Sequence, residues 1–145
     1  MESRMMEAIY DFFEMVGINP DEALDIEDLE RTSWYFQYGQ DGIHIIADEY
    51  PEFAGEPVIS IVTPVGEISD QKMESKEDYI ELLEKLLELN LDIYDAALGF
   101  YDDMIYLVTR LSGYGVDAEM IKEKIEHLID QKKKVGKYLW GDSDF

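Results

Sequence analysis

The chain has 145 residues, 46% of them hydrophobic and 12% aromatic, which suits one globular domain with its own core and argues against disorder. It holds no cysteine, so disulfides, thiolate metal sites and a cysteine nucleophile are excluded. A net charge of −22, carried wholly by the first 120 residues, repels nucleic acid and anionic lipid and leaves solubility or attraction of a basic partner segment as its uses.

The N-terminal stretch lacks the basic start and unbroken apolar run of a signal peptide, and no window has the length of a membrane span, so a cytoplasmic protein is expected. Met5, Ile9, Phe12, Phe13 and Val16 recur at helical spacing, which predicts an amphipathic helix over residues 2–16 closed by Gly17. Residues 17–30 read as an acidic linker, with Leu24, Ile26 and Leu29 as its apolar anchors and a short turn or half-helix within it.

From Thr32 the period changes. Trp34, Phe36 and Tyr38 alternate with Tyr35 and Gln37, predicting a strand, and Gly39 to Gly42 supplies a hairpin turn into a second strand over Ile43 to Ala47. Pro51 to Pro57 reads as a loop, and the β-branched run Val58 to Thr63 as a third strand. Ser75-Lys76-Glu77-Asp78 has the form of a capping box. The helix it opens runs to about Asn90, with an apolar face of Ile80, Leu83, Leu86 and Leu87 widened by Leu82 and Leu89, as if buried on more than one side. Two short strands, Tyr94 to Tyr101 and Met104 to Leu111, meet at Asp102-Asp103. Asp117 then caps a last amphipathic helix, whose late turns carry Lys132, Lys133, Lys134 and Lys137, where cations complement the helix dipole.

The order α-β-β-β-α-β-β-α predicts a single α+β domain over residues 1–145, with a mostly antiparallel sheet, packed helices and its body at 31–140. If Trp34, Phe36, Ile105 and Leu107 face the helices, then Tyr35, Tyr106 and Val108 point to the other side and are the candidate partner-binding residues. Three occupants could cover that second face: the helices themselves, a second copy of the chain, or a client peptide.

Chemistry has no visible carrier. Neither His44 nor His127 stands at metal-ligand spacing, and the many acid pairs match no calcium loop. Gly136-Lys137 lacks the earlier glycine and following hydroxyl of a P-loop, and there is no Gly-x-Ser-x-Gly elbow. No cofactor, metal or catalytic residue is assigned, and a non-enzymatic protein is expected.

The run Tyr79-Ile80-Glu81-Leu82-Leu83-Glu84-Lys85-Leu86-Leu87-Glu88-Leu89-Asn90 is followed by Ala97-Leu98-Gly99-Phe100, an acidic turn, Ile105-Tyr106-Leu107 and a helix ending in Tyr138-Leu139-Trp140. With the aromatic strand Trp34 to Tyr38 and the strand running into Pro64-Val65-Gly66-Glu67, this resembles the YbjN family of sensory-transduction regulators and the related type III secretion chaperones over about residues 30–140. The resemblance implies a type III secretion chaperone-like fold, a homodimer and no enzymatic role. Chaperones of that fold hold the N-terminal segment of an effector through apolar patches and free strand edges. The acidic segment 18–30 has no counterpart in that pattern. The expected function is a non-catalytic protein-binding module, chaperone-like or regulatory. The alternative is an acidic nucleic-acid mimic that binds a basic DNA-binding protein.

Overall fold

The computed structural model describes residues 3–28, 30–51, 55–67 and 75–141. Helix α1 spans Arg4–Val16; Ser3 caps it by accepting the Met6 N–H, and Gly17 ends it in the left-handed conformation, φ 75°. Its inward stripe is Met5, Ala8, Ile9, Phe12 and Phe13, all buried.

The acidic segment that follows is more ordered than a linker. Asn19 caps a single turn, α2 (Pro20–Ala23), and the chain then runs straight into a strand, β1 (Leu24–Glu27). Strands β2 (Arg31–Tyr38), β3 (Asp41–Asp48) and β4 (Val58–Glu67) form the predicted meander. Helix α3 (Lys76–Asp92) starts at the expected cap, where the Ser75 hydroxyl accepts the Asp78 N–H at 3.2 Å. The next strand, β5 (Ala97–Tyr101), starts three residues later than its apolar pattern suggests, because Asp95 takes a positive φ of 64° that breaks the extended run. Strand β6 (Met104–Ser112) and helix α4 (Ala118–Trp140), capped by Asp117, complete the chain.

Among the described residues six strands lie in the order β1-β2-β3-β4-β6-β5, each pair antiparallel. One face is the core face: Trp34 and Phe36, Ile43 and Ile45, Ile59 and Ile61, Ile105 and Leu107 are all buried there. They pack with the α1 phenylalanines, Ile121, Ile125 and Leu128 of α4, and Leu82 and Leu86 of α3 in one continuous cluster. Phe13 packs tilted against Trp34 and edge-on against Phe36, at ring separations of 5.8 and 5.4 Å, which ties the first helix to the second strand.

Candidate functional site

Buried and half-buried residues alternate along β4 and β6, which is the signature of a sheet covered on one side. The register shows what lies on the other side. Tyr35 stands opposite His44, His44 opposite Val62, Val62 opposite Val108 and Val108 opposite Ala97. These five residues form one row running across the sheet from β2 to β5. Tyr106 lies one alternation further along β6, between Pro64 and Gly99. Tyr35, Tyr106 and Val108 therefore share one surface, with Tyr35 and Val108 about 14 Å apart at the usual strand spacing.

The row is mostly apolar. Tyr35 lies across its cross-strand neighbours: its ring is 4.6 Å from that of His44, and a Cβ on Gly42 would come within 2.6 Å of its hydroxyl. Gln37 Nε2 donates to that hydroxyl at 3.0 Å, fixing the ring over the strand pair. Partial burial holds the His44 imidazole below its ordinary value, while the Asp25 carboxylate 3.9 Å from Nε2 pulls it back up. Ile46 and Val58 extend the surface towards one end, where Arg31 and Asp48 pair at 3.1 Å.

Sequence reasoning missed a second apolar surface. The wide stripe of α3 is not buried on several sides: Leu82 and Leu86 enter the core, while Ile80, Leu87 and Leu91 face outward, Leu87 at 68% and Leu91 at 85% exposure. Tyr94 and Tyr101 beside it are equally open. The signal was present in the sequence, since Ile80, Leu87, Leu91 and Tyr94 recur at steps of seven, four and three, a seam distinct from the core face.

A groove of about 880 Å³ lies between the β2–β3 turn and α4, lined by Tyr38, Gly39, Gln40, Asp41, Glu126, Ile129, Lys132, Lys133 and Lys137. Its polar groups bind one another. Lys132 Nζ meets Asp41 at 2.8 Å, and the Tyr38 hydroxyl donates to Glu126 at 3.0 Å. Burial and then that carboxylate raise the Tyr38 phenol above its ordinary value. The groove brings no histidine to its carboxylates. Among the described residues no group of His, Asp or Glu comes together as a metal site, and no helix is long and apolar enough to cross a membrane.

The one-sided antiparallel sheet with helices packed on its core face matches the fold of solved chains from chaperone complexes, a type III secretion chaperone among them. A chain of the ExsC–ExsE complex matches with a TM-score of 0.62 at 13% identity, over 92% of this chain and 91% of that one. A chain of the HopA1–SchA chaperone–effector complex gives 0.58 at 12% identity, over 92% and 94%. The Yersinia pestis type III secretion chaperone SycH, in complex with a fragment of YscM2, gives 0.53 at 11% identity, over 88% and 96%. No family model and no curated protein matches the sequence.

Proposed function

We propose that this chain is a non-catalytic, chaperone-like protein-binding module that holds a segment of a partner protein on the outer face of its sheet. The observation that carries this reading is the cross-strand row of Tyr35, His44, Val62 and Val108 with Tyr106 beside it, half-exposed and apolar in a strongly acidic chain. Burial of such a surface supplies affinity that survives salt, while the surrounding carboxylates select the partner's charge. Similarity to chains from chaperone–effector complexes supports the same class of partner. The sheet face thus falls to a client and the exposed α3 seam to a second copy, giving a homodimer whose two client surfaces stay open. A cytoplasmic location fits this role. The regulator-like assignment to the YbjN family rests on the sequence motifs quoted above.

The test is replacement of Tyr106 by Asp, which places a charge beside the row on the same outer face without touching the core. Affinity capture with wild-type chain is expected to retain a partner protein through a high-salt wash, and the variant to lose it at unchanged melting temperature. Equal retention by both chains would contradict the assignment of the sheet face. Loss of every wild-type partner at high salt would overturn the protein-binding reading itself.

A further inference from the structure

The outer face of the sheet holds a charge that its own chain does not answer. The register places Ile46 opposite Ser60 and Ser60 opposite Arg110. Val62 is paired with Val108 on one side of this pair, and Val58 with Ser112 on the other. Arg110 thus stands diagonal to both Val62 and Val58, between the apolar row and its extension, and it is exposed. A segment that covers both valines therefore covers the guanidinium or drives it to the rim. Taking that charge out of water without a partner is costly, while a carboxylate bound through the planar guanidinium fork offsets the loss.

The chain supplies no such carboxylate. Asp48 shares this face but is bonded to Arg31, and Glu67 lies past the bulge at the far end of β4, opposite Met104. Among the described residues, no carboxylate comes within ion-pair distance of Arg110. Neither its guanidinium nor the Ser60 hydroxyl has a hydrogen-bond partner there. As a directly opposed cross-strand pair their Cβ atoms stand about 5 Å apart, close enough for fork and hydroxyl to reach one carboxylate. Further along, Asn90 of α3 donates its Nδ2–H to the Leu98 carbonyl at 3.2 Å and accepts the Leu98 N–H at 2.6 Å. These β5 edge groups are already bonded, so a partner meets side chains on this side of the sheet.

We infer that Arg110 and Ser60 form a carboxylate site inside the client face, and that the partner segment held there carries an Asp or Glu flanked by apolar side chains. The guanidinium donates two hydrogen bonds to that carboxylate and the Ser60 hydroxyl a third. The inference rests on the protein-binding reading above and adds the chemistry that the face selects. An apolar surface alone lets an extended segment slide, whereas one charged contact fixes its register. The requirement also runs against the field of a −22 chain, which favours basic segments, so site and field predict opposite preferences.

The probes are synthetic peptides of about nine residues alternating Val with Thr, with Glu, Gln or Lys replacing the central Val. Binding to the full chain at physiological salt is read by fluorescence anisotropy, by the amide shifts of β4 and β6, and by the Arg110 Nε–H signal. The Glu peptide is expected to bind roughly tenfold or more tighter than the Gln peptide, as for a charge-assisted hydrogen bond, and to shift the Arg110 Nε–H. The acidic field alone would rank them Lys above Gln above Glu. Arg110→Gln should abolish the preference for Glu, Arg110→Glu should turn it to Lys, and Ser60→Ala should weaken it less than either. Equal binding of the Glu and Gln peptides by wild type would overturn the site and leave the sheet face as a partner surface, as would a Glu preference that Arg110→Gln keeps. Binding that Tyr106→Asp leaves intact, or no binding of any peptide, would count against the sheet face itself, and the site would fall with it.

Discussion

At the scale of single residues, His44 and Gly42 report on the sheet face from opposite directions. The folded state holds His44 below its unfolded value near 6.5, so the unfolded chain takes up the proton first as pH falls. The stabilising contribution is therefore complete above pH 6.5 and is lost as pH drops through the lower folded value. Wild type should lose melting temperature relative to His44→Gln as pH falls from 6.5 towards that value, measured by parallel thermal scans across pH. Asp25→Asn should shift the imidazole titration further down, read from its ring proton shifts, because it removes a carboxylate that favours the charged form. Gly42 acts through shape. Its replacement by Ala would displace the Tyr35 ring, which is exposed enough to move outward once the Gln37 hydrogen bond and the His44 ring contact give way. The expected cost in stability is within about 1 kcal/mol, while partner capture falls, because the first member of the row has moved. Unchanged capture by a folded Gly42→Ala chain would remove Tyr35 from the contact surface.

At the scale of elements, local pattern was a sound guide wherever one face of the element meets the core. The first helix, the strands from Thr32 to Thr63, Met104 to Leu111 and the last helix all showed their period because burial imposes it, and the outward side of Tyr35, Tyr106 and Val108 followed from the same alternation. β1 was not legible. Leu-Asp-Ile-Glu buries neither face, and only its pairing with β2, a long-range property with a bulge between Leu24 and Ile26, makes it a strand. The α3 stripe misled for a related reason: two apolar seams on one helix look like one wide face until their neighbours are known. Asn90 was likewise opaque, since it reads as a helix end and serves as an edge seal. Asn90→Ala should cost about 1–3 kcal/mol, from the two backbone groups it leaves at the half-buried β5 edge. Chemical denaturation would measure this, and a value near zero would mean that water replaces the amide without loss.

For the whole molecule, the distribution of charge and apolar surface separates the roles. Ile80, Leu87 and Leu91 form an exposed seam, the surface that the proposed homodimer would pair across a twofold axis, while Asn90 occupies the β5 edge groups of Leu98. Leu87→Asp combined with Leu91→Asp should convert a dimer to a monomer by light scattering, with self-affinity lowered by roughly a hundredfold or more, as for a charge placed in a central apolar contact. The same variant should keep its client surface, since the row from Tyr35 to Ala97 lies on the outer face of the sheet. The order of strands across the sheet, which places that row, could not be read from connection lengths alone: β4 and β6 are neighbours although α3 and β5 intervene in the chain.

The most direct measurement is site-specific photo-crosslinking in cells, with a photoreactive residue placed in turn at Tyr106, at Val108 and at the exposed Glu123 of α4. Discrete adducts to a partner protein from the two sheet positions, and none from the helix, are the predicted result. Adducts from Glu123 with none from Tyr106 or Val108 would contradict the claim that the outer sheet face holds the partner.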